Sequence, residues 1–81
     1  MSENVFVIYS KIGCPWCVRV EDVMSTVGLT HAVYTLNHNF TPKEFYDKFG
    51  QGATFPQVLL NEKHLGGCID TIKYLQENKI I

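Results

Sequence analysis

Cys14-Pro15-Trp16-Cys17 constrains this chain more than any other stretch. It follows a short apolar run, Val5-Phe6-Val7-Ile8-Tyr9, and opens a segment with helical periodicity. Two thiols three positions apart share one helical face, a turn from each other, at a Cα separation a disulfide can close. Such a pair stores two electrons without moving the fold. Pro15 suits the first helical position, where its missing N–H and fixed φ are no handicap. Cys14 then caps the helix, beneath unpartnered backbone N–H groups and at the positive end of the helix dipole. Both favour a thiolate. Lys11, three residues earlier, adds a cation, and thiols in such settings ionise at about 3.5–7.5 instead of about 8.5. Cys17, one turn inside, is expected to be more buried and to stay protonated. The residues point to thiol chemistry, with Cys14 as nucleophile and Cys17 as resolving thiol. Two other readings stay open on the motif alone: a chance pair on a buried helix face, and half of a zinc site. Zinc commonly takes four ligands from two such pairs. The chain has one further cysteine, Cys68, and His31, His38 and His64 are scattered without ligand spacing.

The chain has 81 residues, room for one domain over 1–81. Its 46% hydrophobic content, with five Phe, four Tyr and one Trp, suffices for a core and argues against disorder. A net charge of −1 gives no general pull toward nucleic acid or an anionic membrane. Residues 1–4 have no basic character and precede only a short apolar run, so no signal peptide is expected. No stretch approaches the length of a membrane span. A reducing cytoplasm is the expected location, where a lone Cys-x-x-Cys is catalytic rather than a structural staple.

In chain order, residues 5–9 read as a strand buried on both faces, because the run is continuously apolar. The first helix is expected over residues 15 to about 27, with Trp16, Val20, Val23, Met24 and Val27 as its apolar stripe and Gly28 ending it. Residues 31–36 read as a second strand, parallel to the first through a right-handed crossover. Thr41, Pro42 and Glu44 form the signature of a capped helix start, Phe45 and Phe49 share its buried face, and Gly50 stops it. Residues 57–60 read as a third strand, turned by Asn61-Glu62-Lys63 into a short antiparallel fourth around His64-Leu65. A last helix is expected from about 69 to 78, with Cys68, Ile69, Ile72 and Leu75 facing the core and Asp70 in its first turn. The order β-α-β-α-β-β-α implies an α/β fold, a mixed four-stranded sheet flanked by helices on both faces.

Two further motifs bear on the chemistry. Thr54-Phe55-Pro56 leads into a strand, where a proline is ordinary. Gly66-Gly67 before a helix start offers free N–H groups for an anion, a weak signal alone. The whole set is specific. Ser10-Lys11-Ile12-Gly13-Cys14-Pro15-Trp16-Cys17, then Thr54-Phe55-Pro56-Gln57-Val58, then Leu65-Gly66-Gly67-Cys68-Ile69-Asp70 closely resembles the glutaredoxin family in order and spacing over essentially the whole chain. The resemblance implies a thioredoxin-like fold, a cis Pro56, and glutathione as co-substrate in an extended groove beside Cys14, with no metal. Cys14 and Cys17 match the nucleophile and second thiol. Lys11 matches the lysine that supports the thiolate and meets the glycyl carboxylate. Trp16, where relatives more often have Tyr or Phe, walls the groove. Phe55, in a position that is often Val, offers its main chain to the cysteinyl part, flanked by Thr54 and Pro56. Gly67, Cys68, Ile69 and Asp70 match the segment holding the γ-glutamyl end, Asp70 pairing with its ammonium.

Two departures imply weaker glutathione binding. Ile69 replaces a frequent Ser or Thr, leaving only its N–H. Ala53 stands where some members carry a basic residue. Cys68 itself reads as a small buried hydrophobe. The resemblance implies reduction of glutathionylated and disulfide-containing proteins, ribonucleotide reductase among them, and a monomer is the default expectation. Rival readings are a small thioredoxin-like protein fed by a flavoenzyme, and a carrier of an iron–sulfur cluster between two subunits. The Gly66–Asp70 segment and Lys11 weigh against the first, and Pro15 against the second.

Overall fold

The computed structural model describes residues 5–81; residues 1–4, for which the sequence predicts no signal peptide, lie outside the described residues. The elements run β1 (Phe6–Ser10), α1 (Pro15–Val27), β2 (His31–Thr35), α2 (Pro42–Phe49), β3 (Gln57–Leu60), β4 (Lys63–Gly66) and α3 (Cys68–Glu77). One mixed sheet holds the strands in the order β2-β1-β3-β4. β1 pairs parallel with β2 (Ile8 opposite Val33) and antiparallel with β3 (Ile8 opposite Val58), and β3 pairs antiparallel with β4. This is the expected α/β arrangement.

Local chemistry sets the helix limits. Cys14 caps α1, with Pro15 behind it, and Gly28 closes the helix at φ 81° with its N–H on the Met24 and Ser25 carbonyls. Only a residue free of a Cβ adopts that left-handed turn without strain. At α2 the Thr41 hydroxyl accepts from the Glu44 N–H at 3.2 Å, and the Glu44 carboxylate accepts from the Thr41 N–H at 2.8 Å. Both halves of the capping box are present.

The core lies between the sheet and the α1–α3 pair: Phe6, Ile8, Val20, Met24, Val58, Leu60, Cys68 and Leu75 form one buried cluster. Side chains alternate along a strand, so Tyr9 points to the opposite face. There it meets Phe40 and Phe49, both at 5.0 Å between ring centroids, beneath α2. That eight-residue helix covers its face incompletely, so Val7 and Tyr9 stay half-buried while Phe6, Ile8 and Ser10 are buried. The burial expected on both faces is thus complete on the α1–α3 side and partial on the α2 side.

The helix stripes also differ from expectation at three points. Trp16 and Val27 are exposed, while Val20 and Met24 of the expected stripe are buried, joined by Cys17. Trp16 sits in the first turn of α1, where it lines the groove described below rather than the core. In α3, Ile69 is 67% exposed, and Thr71 takes the buried place between Cys68 and Leu75. Helical spacing from Cys68 requires this: positions 68, 71 and 75 share one face, and 69 lies about 100° away from 68.

Candidate active site

Cys14 and Cys17 stand at the start of α1, joined by a disulfide with a Cα separation of 5.3 Å. Cys14 is 6% exposed and Cys17 1%. The Cys14 Sγ accepts the Cys17 N–H at 3.2 Å. This contact is what a helix N-terminus offers to a negative sulfur: a backbone donor aimed at the atom, backed by the dipole. The more exposed of the two residues also receives that donor on its sulfur, an arrangement that favours negative charge on Cys14 once the bridge is reduced. Lys11 reaches toward the site from the preceding loop, its Nζ 5.3 Å from the centroid of the Phe55 ring.

Trp16, Thr54, Phe55, Pro56, Gly67, Cys68, Ile69 and Asp70 line a single groove of about 350 Å³. Three chain segments far apart in sequence thus meet at one place, and Trp16 comes from between the two thiols. Phe55-Pro56 is a cis peptide. The last β1–β3 pair is Tyr9 with Gln57, so the sheet ladder ends before Phe55. Among the described residues the Phe55 N–H and carbonyl take no hydrogen-bond partner, which leaves an extended edge open to a peptide-like ligand. The volume lies within the range of about 300–1,000 Å³ typical of small-molecule sites. The residues therefore fit glutathione: an open main-chain edge, helical N–H groups, one carboxylate.

At the far end, Gly67 caps α3 without a side-chain hydrogen bond, so its first-turn N–H groups are available to an anion. The Asp70 carboxylate is in no ion pair among the described residues. Gly66 explains its placement. A Cβ on Gly66, which has φ 117°, would lie 2.6 Å from Asp70 Oδ2 and 2.9 Å from Asp70 Cβ. The bare glycine is the floor on which Asp70 rests, a role with no signature in the sequence beyond the Gly-Gly pair.

Cys68 is buried and reduced. Burial pushes its thiol pKa up, an effect that Arg19 partly opposes. Among the described residues no three His, Cys, Asp or Glu side chains gather where they could hold a metal ion. No described helix is long and apolar enough to cross a membrane.

The family model for glutaredoxin matches residues 6–65. The chain belongs to the glutaredoxin family. It is 35% identical to glutaredoxin-C6 of Oryza sativa subsp. japonica over 78 residues, 93% of this chain and 70% of the relative. It is 32% identical to glutaredoxin 3 of Escherichia coli (strain K12) over 63 residues, 78% of this chain and 76% of the relative. Among solved structures it is similar to a buckwheat glutaredoxin–glutathione complex, with a TM-score of 0.78 and 26% identity over 95% of this chain and 73% of that one. Glutaredoxins are thiol–disulfide oxidoreductases, and this member carries the dithiol pair of that chemistry at Cys14 and Cys17.

Proposed function

We propose that the protein reduces glutathione mixed disulfides and protein disulfides with glutathione as reductant, Cys14 acting as nucleophile and Cys17 as resolving thiol. The observation that carries this reading is the groove. Its open Phe55 edge, the α3 N-terminus and Asp70 lie in one trough, walled by Trp16 from between the two thiols.

Each step is thiol–disulfide exchange. The Cys14 thiolate attacks the glutathione sulfur of a mixed disulfide. A Cys14–glutathione disulfide forms, the substrate's S–S bond breaks, and the substrate thiolate leaves and takes a proton from water. A second glutathione thiolate then attacks the glutathione sulfur held on Cys14. Glutathione disulfide departs and the Cys14 thiolate returns, so each cycle consumes one free glutathione, the other half of the glutathione disulfide coming from the substrate. With a protein disulfide, Cys14 attacks one sulfur and Cys17 attacks Cys14 in the resulting mixed disulfide. The protein leaves as a dithiol, and the Cys14–Cys17 bridge is reduced by two glutathiones. The groove raises the rate by holding the glutathione sulfur in line with Cys14.

This reading makes the protein a cytoplasmic monomer serving redox homeostasis and electron transport to glutathionylated and disulfide-containing proteins, with ribonucleotide reductase as one substrate. The test is glutathione-dependent reduction of a small mixed disulfide, coupled to glutathione reductase. Turnover is expected. Reduction of the bridge by thioredoxin reductase, with none by glutathione, would overturn the assignment of the reductant.

A further inference from the structure

Phe55 lines the groove, and Lys11, which does not, stands beside it with its ammonium 5.3 Å from the Phe55 ring centroid. That is inside the distance of about 6 Å over which a ring's quadrupole attracts a cation. The ring is itself held fast. It stacks on Phe45 at 4.1 Å with planes 11° apart, and lies 6.3 Å from the nearly parallel ring of Phe40. Phe45 is 1% exposed and Phe40 7%, so the stack is rooted in the packing of α2 against the sheet. Lys11 by contrast is exposed, and among the described residues it is in no ion pair.

We propose that Phe55 is a positioning residue for Lys11: its ring holds the ammonium at the carboxylate end of the glutathione groove, while its main chain stays open to the ligand. The inference rests on the groove being the glutathione site. An exposed lysine samples many rotamers, and ordering it on binding opposes affinity. A carboxylate partner would order Lys11 but also neutralise it. An aromatic face orders the ammonium and leaves its charge for the ligand's carboxylate. The stack on Phe45 keeps the ring from following the lysine's motion. The position that offers its backbone to the ligand therefore also shapes the electrostatics of the groove through its side chain.

A double-mutant cycle tests this, using glutathione–2-mercaptoethanol mixed disulfide as the probe. Phe55→Leu is expected to lower kcat/KM by about two- to fivefold, the change falling mainly in KM. Phe55→Tyr, which keeps the aromatic face, is expected to restore it. In the Lys11→Met background Phe55→Leu should have no further effect. Equal losses in both backgrounds would show that the ring acts through packing alone and overturn the proposal. A second readout needs no variant: ring current should shift the Lys11 ε-methylene proton resonances of the wild type upfield of those of Lys73. Unshifted resonances would overturn the proposal even where Phe55→Leu does not fold. Turnover without coupling overturns only this inference. A wild type that fails to turn over the probe overturns the glutathione reading on which it stands.

Discussion

Gly66→Ala should damage the protein in two measurable ways. The new Cβ would fall 2.6 Å from Asp70 Oδ2, 2.9 Å from Asp70 Cβ and 3.1 Å from Asp70 Cγ. Rotating the Asp70 side chain moves its oxygen but not its Cβ, so the first turn of α3 must shift as well. The backbone adds its own strain, because an L-residue rarely adopts φ 117°. Strain of this kind costs about 1–3 kcal/mol. For a chain of this size each kcal/mol lowers Tm by about 4–8 °C, so a fall of about 4 °C or more is expected. If Asp70 holds the γ-glutamyl ammonium, as the glutathione reading assigns, moving the carboxylate also weakens that contact. A hydrogen bond to a charged group contributes about 1.5–3 kcal/mol, so KM for a glutathione mixed disulfide should rise about tenfold or more. Gly67→Ala is the control for stability. Its φ is −85°, and the nearest atom to a Cβ there is the Pro56 carbonyl oxygen at 3.6 Å, ordinary contact. Loss of a good N-cap residue and the lower entropy of the unfolded chain act in opposite directions, so Tm should move little. Thermal melts and steady-state kinetics on the two variants decide the matter. Gly66→Ala with unchanged Tm and KM would refute the view that this glycine seats Asp70.

Ala53→Arg should tighten glutathione binding by about two- to fivefold, the magnitude of one exposed ion pair, read by calorimetric titration of a Cys14→Ser form. No gain would mean that the carboxylate end lies elsewhere. Burial raises the Cys68 pKa, and burial, then Tyr34 and Glu44, raise that of Tyr9. For both, the folded chain holds its proton more tightly than the unfolded chain. Their contribution to stability is complete below the unfolded values, about 8.5 and 10, and is lost as pH rises through the folded ones. Tm should therefore decline above about pH 8.5. In a Cys14→Ser, Cys17→Ser protein, Cys68 should alkylate more slowly than the same chain unfolded in urea.

The parts legible in the sequence were those that local chemistry decides. Cys14-Pro15 and Gly28 bracket α1, Thr41 and Glu44 start α2, and the apolar runs mark β1 and β3. The site's three segments were legible as motifs, and the structure brings eight of their residues to one groove. What failed depended on neighbours distant in sequence. Trp16 and Ile69 are apolar and at plausible helical spacing, yet both stand exposed in the first turns of their helices and line the groove rather than the core. Thr71 is polar and carries no core signal in the sequence, yet it is fully buried with its Oγ1 unpartnered among the described residues. The Gly66 seat beneath Asp70 and the Lys11–Phe55 contact join residues whose spacing carries no pattern, so only the fold discloses them.

The most direct test of the central claim traps the first covalent step. The reduced Cys17→Ser protein is mixed with glutathione disulfide and its mass measured intact, then after digestion. The account predicts one glutathione per chain, on Cys14, removed again by added glutathione with turnover of small mixed disulfides preserved. Modification at Cys68 instead, or an unmodified and inactive Cys17→Ser protein, would contradict it.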